Sequence, residues 1–173
     1  DGNAGMPIAS ITSISILSDG RLAARGWAPG ATGSNLSVLS ADGVMDETFS
    51  FKAAEDQTLS VSAQLPDADG GMILAGSLIE PGGLANLVHT DAMGAIGAKV
   101  YGWRSPVNYV SSVAKASGGK WYVVGSFDYA EGKSAPGLAR LNSDGSFDSS
   151  FVPAMPTGVT IGSALVAAGE QVW

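Results

Sequence analysis

Cysteine is absent from the chain, so neither disulfides nor thiolate-ligated metals can organise it. Charge is sparse as well. Only 14% of residues are Asp, Glu, Lys or Arg, and 16 acidic residues face 9 basic ones, for a formal net charge of −7. A field of that sign repels phosphate backbones and anionic lipid, which argues against nucleic acid as a partner. No apolar run approaches the ~18–20 residues that a membrane-spanning helix needs, so membrane insertion is not expected. Histidine occurs once, as His89, with no Ser or Cys in a nucleophile-elbow context. Its place at the end of a strand beside a turn reads as a solvated residue rather than a catalytic one.

What the chain has in quantity is Gly, 24 of 173 residues, with 8 Pro and 45% hydrophobic residues. That balance suits short strands joined by tight turns better than helices. Three heptapeptides of the form Gly-x5-Gly recur: Gly20 to Gly26, Gly70 to Gly76 and Gly119 to Gly125, their first glycines 50 and 49 residues apart (20 to 70 to 119). A period of about 50 residues belongs to propeller blades and related arrays, whose units bury their apolar faces only by stacking.

Superposing the units assigns a task to each part. Nine residues before the first Gly stand Ile11, Val61 and Val110, with Thr160 in the same place before Gly169. Two residues on come Ser13, Ala63, Ser112 and Gly162, small side chains that suit an innermost strand crowded around an axis. Turn residues follow, Ser18-Asp19-Gly20, Asp67-Ala68-Asp69-Gly70 and Ser117-Gly118-Gly119, so the Gly-x5-Gly strand runs back antiparallel. A variable connection leads to a third strand at residues 36–39, 85–89 and 138–141. A second turn then carries Asp46 and Asp148, each three residues before a Phe, Phe49 and Phe151, placed here at the start of an outer strand facing the next blade. In the second unit, residues 89–97 run two residues longer and Val100 replaces the Phe, which predicts a looser turn.

The run Ala139 to Phe151, read with the Gly-Lys-Trp-Tyr-Val-Val-Gly-Ser-Phe segment before it, resembles the delta-60 repeat family, whose signature is Arg-Leu-Asn-x-Asp-Gly-x-x-Asp-x-x-Phe paired with a strand ending Gly-x-Phe. The third unit carries it in full. The first keeps Asp42, Gly43, Asp46 and Phe49 but has Val38-Leu39-Ser40 in place of Arg-Leu-Asn, and the second has lost most of the turn motif. The resemblance implies β-propeller-like repeats, largely bacterial and often secreted or surface-attached, with no common reaction. A secreted or cell-surface location is also the compositional expectation from few Lys and abundant Gly, Ser, Ala and Asp.

The fold expected is therefore all-β, a β-propeller-like array of four-stranded antiparallel blades, incomplete within this chain. Units fall at 8–57, 58–107 and 108–157, with a truncated fourth at 158–173. Propellers close with about 4 to 8 blades, and Asp1 is not an initiator residue. The expectation is a piece of a longer protein; the alternative is two chains completing one another through open blade edges.

Chemical motifs are weak. Asn142-x-Asp144-Gly145-x-Phe147-Asp148 resembles the middle of a calcium loop, yet Arg140 and Phe151 stand where the outer carboxylates belong, and Asp67-Ala68-Asp69-Gly70 lacks a closing Glu. Both read as hairpin turns, with no metal and no cofactor expected. The pairs Asp46-Glu47 and Glu55-Asp56 are adjacent in sequence and would point to opposite faces of a strand. The Asn35-Leu36-Ser37 sequon matters only in a eukaryotic secretory pathway. No catalytic residue is assigned. Ligand recognition is placed on the variable connections, residues 27–35, 77–83 and 127–134, with Trp27, Asn35, Glu80, Asp128 and Tyr129 as candidates, since aromatics beside Asp and Asn suit carbohydrate faces. Trp27, Phe127 and Tyr129 can alternatively pack on a neighbouring blade, and Trp103, Trp121 and Trp173 read as core residues. The expected role is a non-catalytic interaction module for protein or carbohydrate. A structural subunit of a surface layer or filament, or an accessory domain of a larger glycan-active enzyme, are the alternatives.

Overall fold

The computed structural model of the chain describes residues 10–27, 34–51, 60–80, 83–100, 109–127, 129–130, 133–135, 137–154, 167–168 and 171–172. The described residues are almost entirely strand and turn, with a single 3-10 turn at Ser117–Gly119. Strands β1 (Ser10–Ile16), β2 (Leu22–Trp27) and β3 (Ser34–Leu39) form an antiparallel sheet in sequence order. A second sheet follows from β4 (Ser60–Pro66), β5 (Met72–Glu80), β6 (Gly83–Thr90) and β7 (Ile96–Val100). The third joins β8 (Tyr109–Lys115) and β9 (Trp121–Ser126) to β12 (Leu138–Leu141). Two short ribbons complete the set: β10 (Tyr129–Ala130) with β11 (Lys133–Ser134), and β13 (Ala167–Ala168) with β14 (Gln171–Val172).

The repeated Gly-x5-Gly has a geometric cause at each end. Gly20, Gly70 and Gly119 take positive φ (87°, 87° and 73°) in the turn between the first two strands of each sheet, a backbone conformation that a Cβ opposes. At the other end, a Cβ on Gly76 or Gly125 would lie 1.9 Å from the carbonyl oxygen of Ser60 or Tyr109. That approach follows from a β-bulge in the first strand, where pairing slips between Ile11 and Ser13, Val61 and Ala63, and Val110 and Ser112.

The sheets bury both faces of their central strands. On β5, Met72 and Leu74 point into one cluster with Ala23, Val38 and Phe49 of the first sheet, while Ile73 and Ala75 point into another with Val110, Val123 and Leu141 of the third. The alternation explains why Met72 to Ala75 is uninterruptedly apolar, since a strand covered on both sides has no polar face to present. The ring of Phe49 rests against Gly94 and the Ser50 amide donates to the Met93 carbonyl, so the first sheet's outer turn does face the next sheet.

One expectation is met in part and two are corrected. Among the described residues only the second sheet has four strands; the outer segment of the other two is a single bridge, Leu39 to Met45 and Leu141 to Phe147. Directly after each bridge, the side chains of Asp46 and Asp148 accept the amides of Thr48 and Ser150 and fold the chain into a turn before Phe49 and Phe151. In the second sheet Gly97 follows the equivalent bridge residue Ile96, no such turn forms, and β7 continues.

The turn expected to be loose is as tight as the rest. Asp91 N–H donates to the Ala95 carbonyl, Gly94 N–H to the Asp91 carbonyl, and the Asp91 carboxylate accepts from Met93 and Ala95. Residues 77–80, expected in a connection, belong to β5: Leu78 pairs with Ala85, Ile79 with Leu84 and Glu80 with Gly83. The apolar pair Leu78-Ile79 carries the extended structure up to Pro81-Gly82, against the loop signal of those two residues.

Candidate functional site

The bulge inserts one extra residue per first strand, and in all three sheets that residue bears a hydroxyl: Thr12, Ser62 and Ser111. Thr12 donates to the Arg25 carbonyl at 3.2 Å and Ser111 to the Val124 carbonyl at 3.1 Å. The Ser62 hydroxyl, whose single proton serves one acceptor at a time, lies 3.0 Å from the Ala75 carbonyl oxygen and 2.5 Å from that of Val110 in the next sheet.

Because β4 lies against both β1 and β8, the three bulged ends converge. They frame a groove of about 290 Å³. Its lining is polar and aromatic: the hydroxyls of Thr12, Ser60, Ser62 and Ser111, the Arg25 guanidinium, and the rings of Trp27 and Tyr109. Trp27 is 50% exposed and Tyr109 42%. Arg25 is anchored by donating to the Val61 carbonyl at 3.0 Å, while its buried Nε has no hydrogen-bond partner. Burial lowers its pKa below the ordinary guanidinium value, and the nearby Tyr109 works in the opposite direction; a guanidinium stays cationic regardless.

Of the candidates from sequence, Trp27 lines this groove. Asn35 on β3, Glu80 on β5 and Tyr129 on β10 are placed by their backbone alone, and Asp128 lies outside the described residues. Phe127 is buried among Val110, Val123 and Ala135, as the packing alternative has it. Trp121 is buried on β9, whereas Trp103 and Trp173 lie outside the described residues. The residues that sequence reading missed are Thr12, Arg25, Ser60, Ser62, Tyr109 and Ser111. A signal for three of them was present: Thr12, Ser62 and Ser111 recur at the repeat spacing.

The remaining charged clusters fasten turns together. Asp148 is buried and accepts from Lys120 Nζ and Arg140 Nε, both at 2.8 Å, and from the Ser150 hydroxyl. The Lys120 ammonium and then the Ser150 hydroxyl hold its carboxyl far below the usual carboxylate range. Two units earlier, Asp46 accepts from the Thr48 hydroxyl and from Arg21, which lower its pKa in that order. In the calcium-like loop, Asp144 accepts the Ser146 amide and hydroxyl, and Asn142 donates to the same hydroxyl oxygen. Its side chains thus serve the hairpin, the role read from sequence.

His89 departs from its expected solvation. It is buried on β6, opposite Ile73, with Nε2 3.3 Å from Asp67 Oδ2 and 3.4 Å from Asp69 Oδ2. Its pairing with Ile73, next to the turn between β4 and β5, sets the imidazole against the carboxylates of that turn. Among the described residues no helix is long and apolar enough to cross a membrane.

Comparison with known sequences fits this geometry. Residues 117–151, from the 3-10 turn through β9 and β12 to Phe151, match a domain of unknown function (DUF5122) described as a β-propeller. No curated protein matches the chain. The chain is thus an all-β array of antiparallel sheets whose third unit is similar to a propeller repeat family.

Proposed function

We propose that the chain is a non-catalytic interaction module of delta-60-like propeller blades, secreted or displayed at a cell surface, that recognises carbohydrate at the groove formed by β1, β2, β4 and β8. One observation carries the reading: two half-exposed aromatic rings, Trp27 and Tyr109, line a groove together with four hydroxyls, one guanidinium and Val61. Sugars offer an apolar ring face for stacking and a rim of hydroxyls for hydrogen bonding, so a site that binds them combines aromatics with hydroxyl acceptors and charged donors. The volume sits at the lower edge of the ~300–1,000 Å³ typical of small-ligand sites, which fits a short glycan unit. The net charge of −7 favours neutral sugars over polyanionic ones. An accessory domain of a larger glycan-active enzyme would use the same groove.

A glycan array probed with the chain and with Trp27→Ala tests the reading. Binding to a defined set of neutral glycans that the substitution reduces at least tenfold supports it; the absence of any glycan binding overturns it.

A second reading rests on β1, where Ile14 and Ile16 are exposed. Apolar side chains on an edge strand favour association with another copy, the building-block role in a layer or filament. Light scattering over a concentration series tests that reading, with Ile16→Lys expected to suppress any assembly.

A further inference from the structure

The first and third sheets fasten the turn between their first two strands to the turn after their third by a cation on an aspartate: Arg21 on Asp46 at 2.7 Å, and Lys120 on Asp148 at 2.8 Å. The second sheet has neither partner. Gly71 stands in the place of Arg21 and Lys120, and Gly97 in the place of Asp46 and Asp148. A side chain at 71 is sterically barred, since a Cβ there would lie 1.9 Å from the Thr90 carbonyl oxygen. At this corner the second sheet instead brings together Asp67, Asp69 and His89, whose ligand-type atoms all lie within 4.8 Å of one another.

These three side chains are arranged as donors to a common centre. The Oδ1 atoms of Asp67 and Asp69 are engaged, accepting the amides of Ala68 at 2.7 Å and Gly71 at 2.9 Å. Those bonds fix both carboxylates and leave both Oδ2 atoms turned toward the imidazole. His89 is only 9% exposed. Its Nε2 is sealed from solvent and has no hydrogen-bond partner, although two carboxylate oxygens stand within 3.4 Å. At 3.3 and 3.4 Å neither oxygen forms a hydrogen bond with the ring nitrogen, so direct contact leaves the buried Nε2 unsatisfied. The separations of 3.3 and 3.4 Å match the edge of a tetrahedron with bonds of ~2.0–2.1 Å from centre to corner, the usual zinc–nitrogen and zinc–oxygen lengths.

We propose that Asp67 Oδ2, Asp69 Oδ2 and His89 Nε2 bind a first-row divalent cation of the zinc class, with water as fourth ligand. The cation ties the β4–β5 turn to the end of β6, the service that Arg21 and Lys120 perform in the flanking sheets. One imidazole and two carboxylates suit Zn²⁺, Co²⁺ or Ni²⁺ and offer too few oxygens for Ca²⁺. This site is independent of the carbohydrate groove and stands or falls separately from it.

Calorimetric titration of the chain with Zn²⁺, paired with the visible absorption of bound Co²⁺, tests the proposal. The expected result is one ion per chain, a four-coordinate Co²⁺ spectrum and a thermal midpoint raised by saturating Zn²⁺. Asp69→Asn, at the exposed side of the cluster, keeps the fold and weakens Zn²⁺ binding at least tenfold, and His89→Gln abolishes the Co²⁺ spectrum. Asp42→Asn, in the corresponding position of an outer turn, leaves binding unchanged. Absence of saturable binding, or binding that Asp69→Asn leaves intact, overturns the proposal and leaves an Asp67–His89–Asp69 ion pair in its place.

Discussion

Lys120 and Asp148 form the same tether in the third sheet that Arg21 and Asp46 form in the first, with N–O distances of 2.8 and 2.7 Å. Each cation directly follows a turn glycine, and each aspartate directly follows the bridge residue beyond the third strand. The motif Asp-x-Ser/Thr-Phe thus has two jobs. One carboxylate oxygen accepts the Ser or Thr and shapes the turn that seats the Phe, while the other accepts the cation and locks two turns together.

Asp148→Asn should destabilise the fold by about 2 kcal/mol, since it weakens charge-assisted hydrogen bonds at a buried site. The effect is pH-dependent. The folded-state pKa of Asp148 lies far below the ordinary range, chiefly through Lys120. Its contribution is therefore complete above the unfolded value of roughly 3.9 and is lost as pH falls toward the folded value. Urea unfolding from pH 7 down to pH 2 should show a constant gap between wild type and Asp148→Asn until about pH 4, then a narrowing one. A gap that grows on acidification would contradict the assignment.

Two glycine substitutions should differ because their constraints differ. Gly125→Ala drives a Cβ to 1.9 Å from the Tyr109 carbonyl oxygen at the bulge, so the two strands must separate, at a cost of about 3 kcal/mol or more. Gly43→Ala meets nothing within 4 Å and suffers only from φ of +80°, about 1 kcal/mol. Thermal melts of the two variants measure the difference directly. Equal losses would mean that turn strain alone explains the repeat.

The two aromatic residues after the second glycine of a heptapeptide should behave oppositely. Phe127 is buried among the third sheet's strands, and Phe127→Ala should cost ~3–4 kcal/mol. Trp27 is half exposed beside the groove, and Trp27→Ala should cost less than about 1 kcal/mol. Chemical denaturation of both variants checks this pairing. A large loss at Trp27 would make it a packing residue and remove it from recognition.

Much of this was legible in the residues themselves, where the determinants are local. A turn glycine, its Asp and the β-forming run after it lie within ten residues, so the antiparallel pairs β1–β2, β4–β5 and β8–β9 could be read directly. The tether at the outer turn was not legible, because Asp46 and Asp148 look like generic turn residues until their second oxygen finds a cation 25 or 28 residues away. His89 was misread for the same reason. Its partners lie on a turn 20 to 22 residues earlier (67 and 69 against 89), and proximity to the following turn was the wrong guide. Trp27 was visible as a candidate, but its partners Arg25, Ser62 and Tyr109 gather only through the bulge that recurs in three strands.

The groove is the centre of the account, and backbone amide chemical-shift mapping during titration with an array-selected neutral glycan tests it most directly. The account predicts saturable shifts concentrated at Thr12, Arg25, Trp27, Ser62, Tyr109 and Ser111, on three strands distant in sequence. Shifts confined to other surfaces, with these six unmoved, would contradict it.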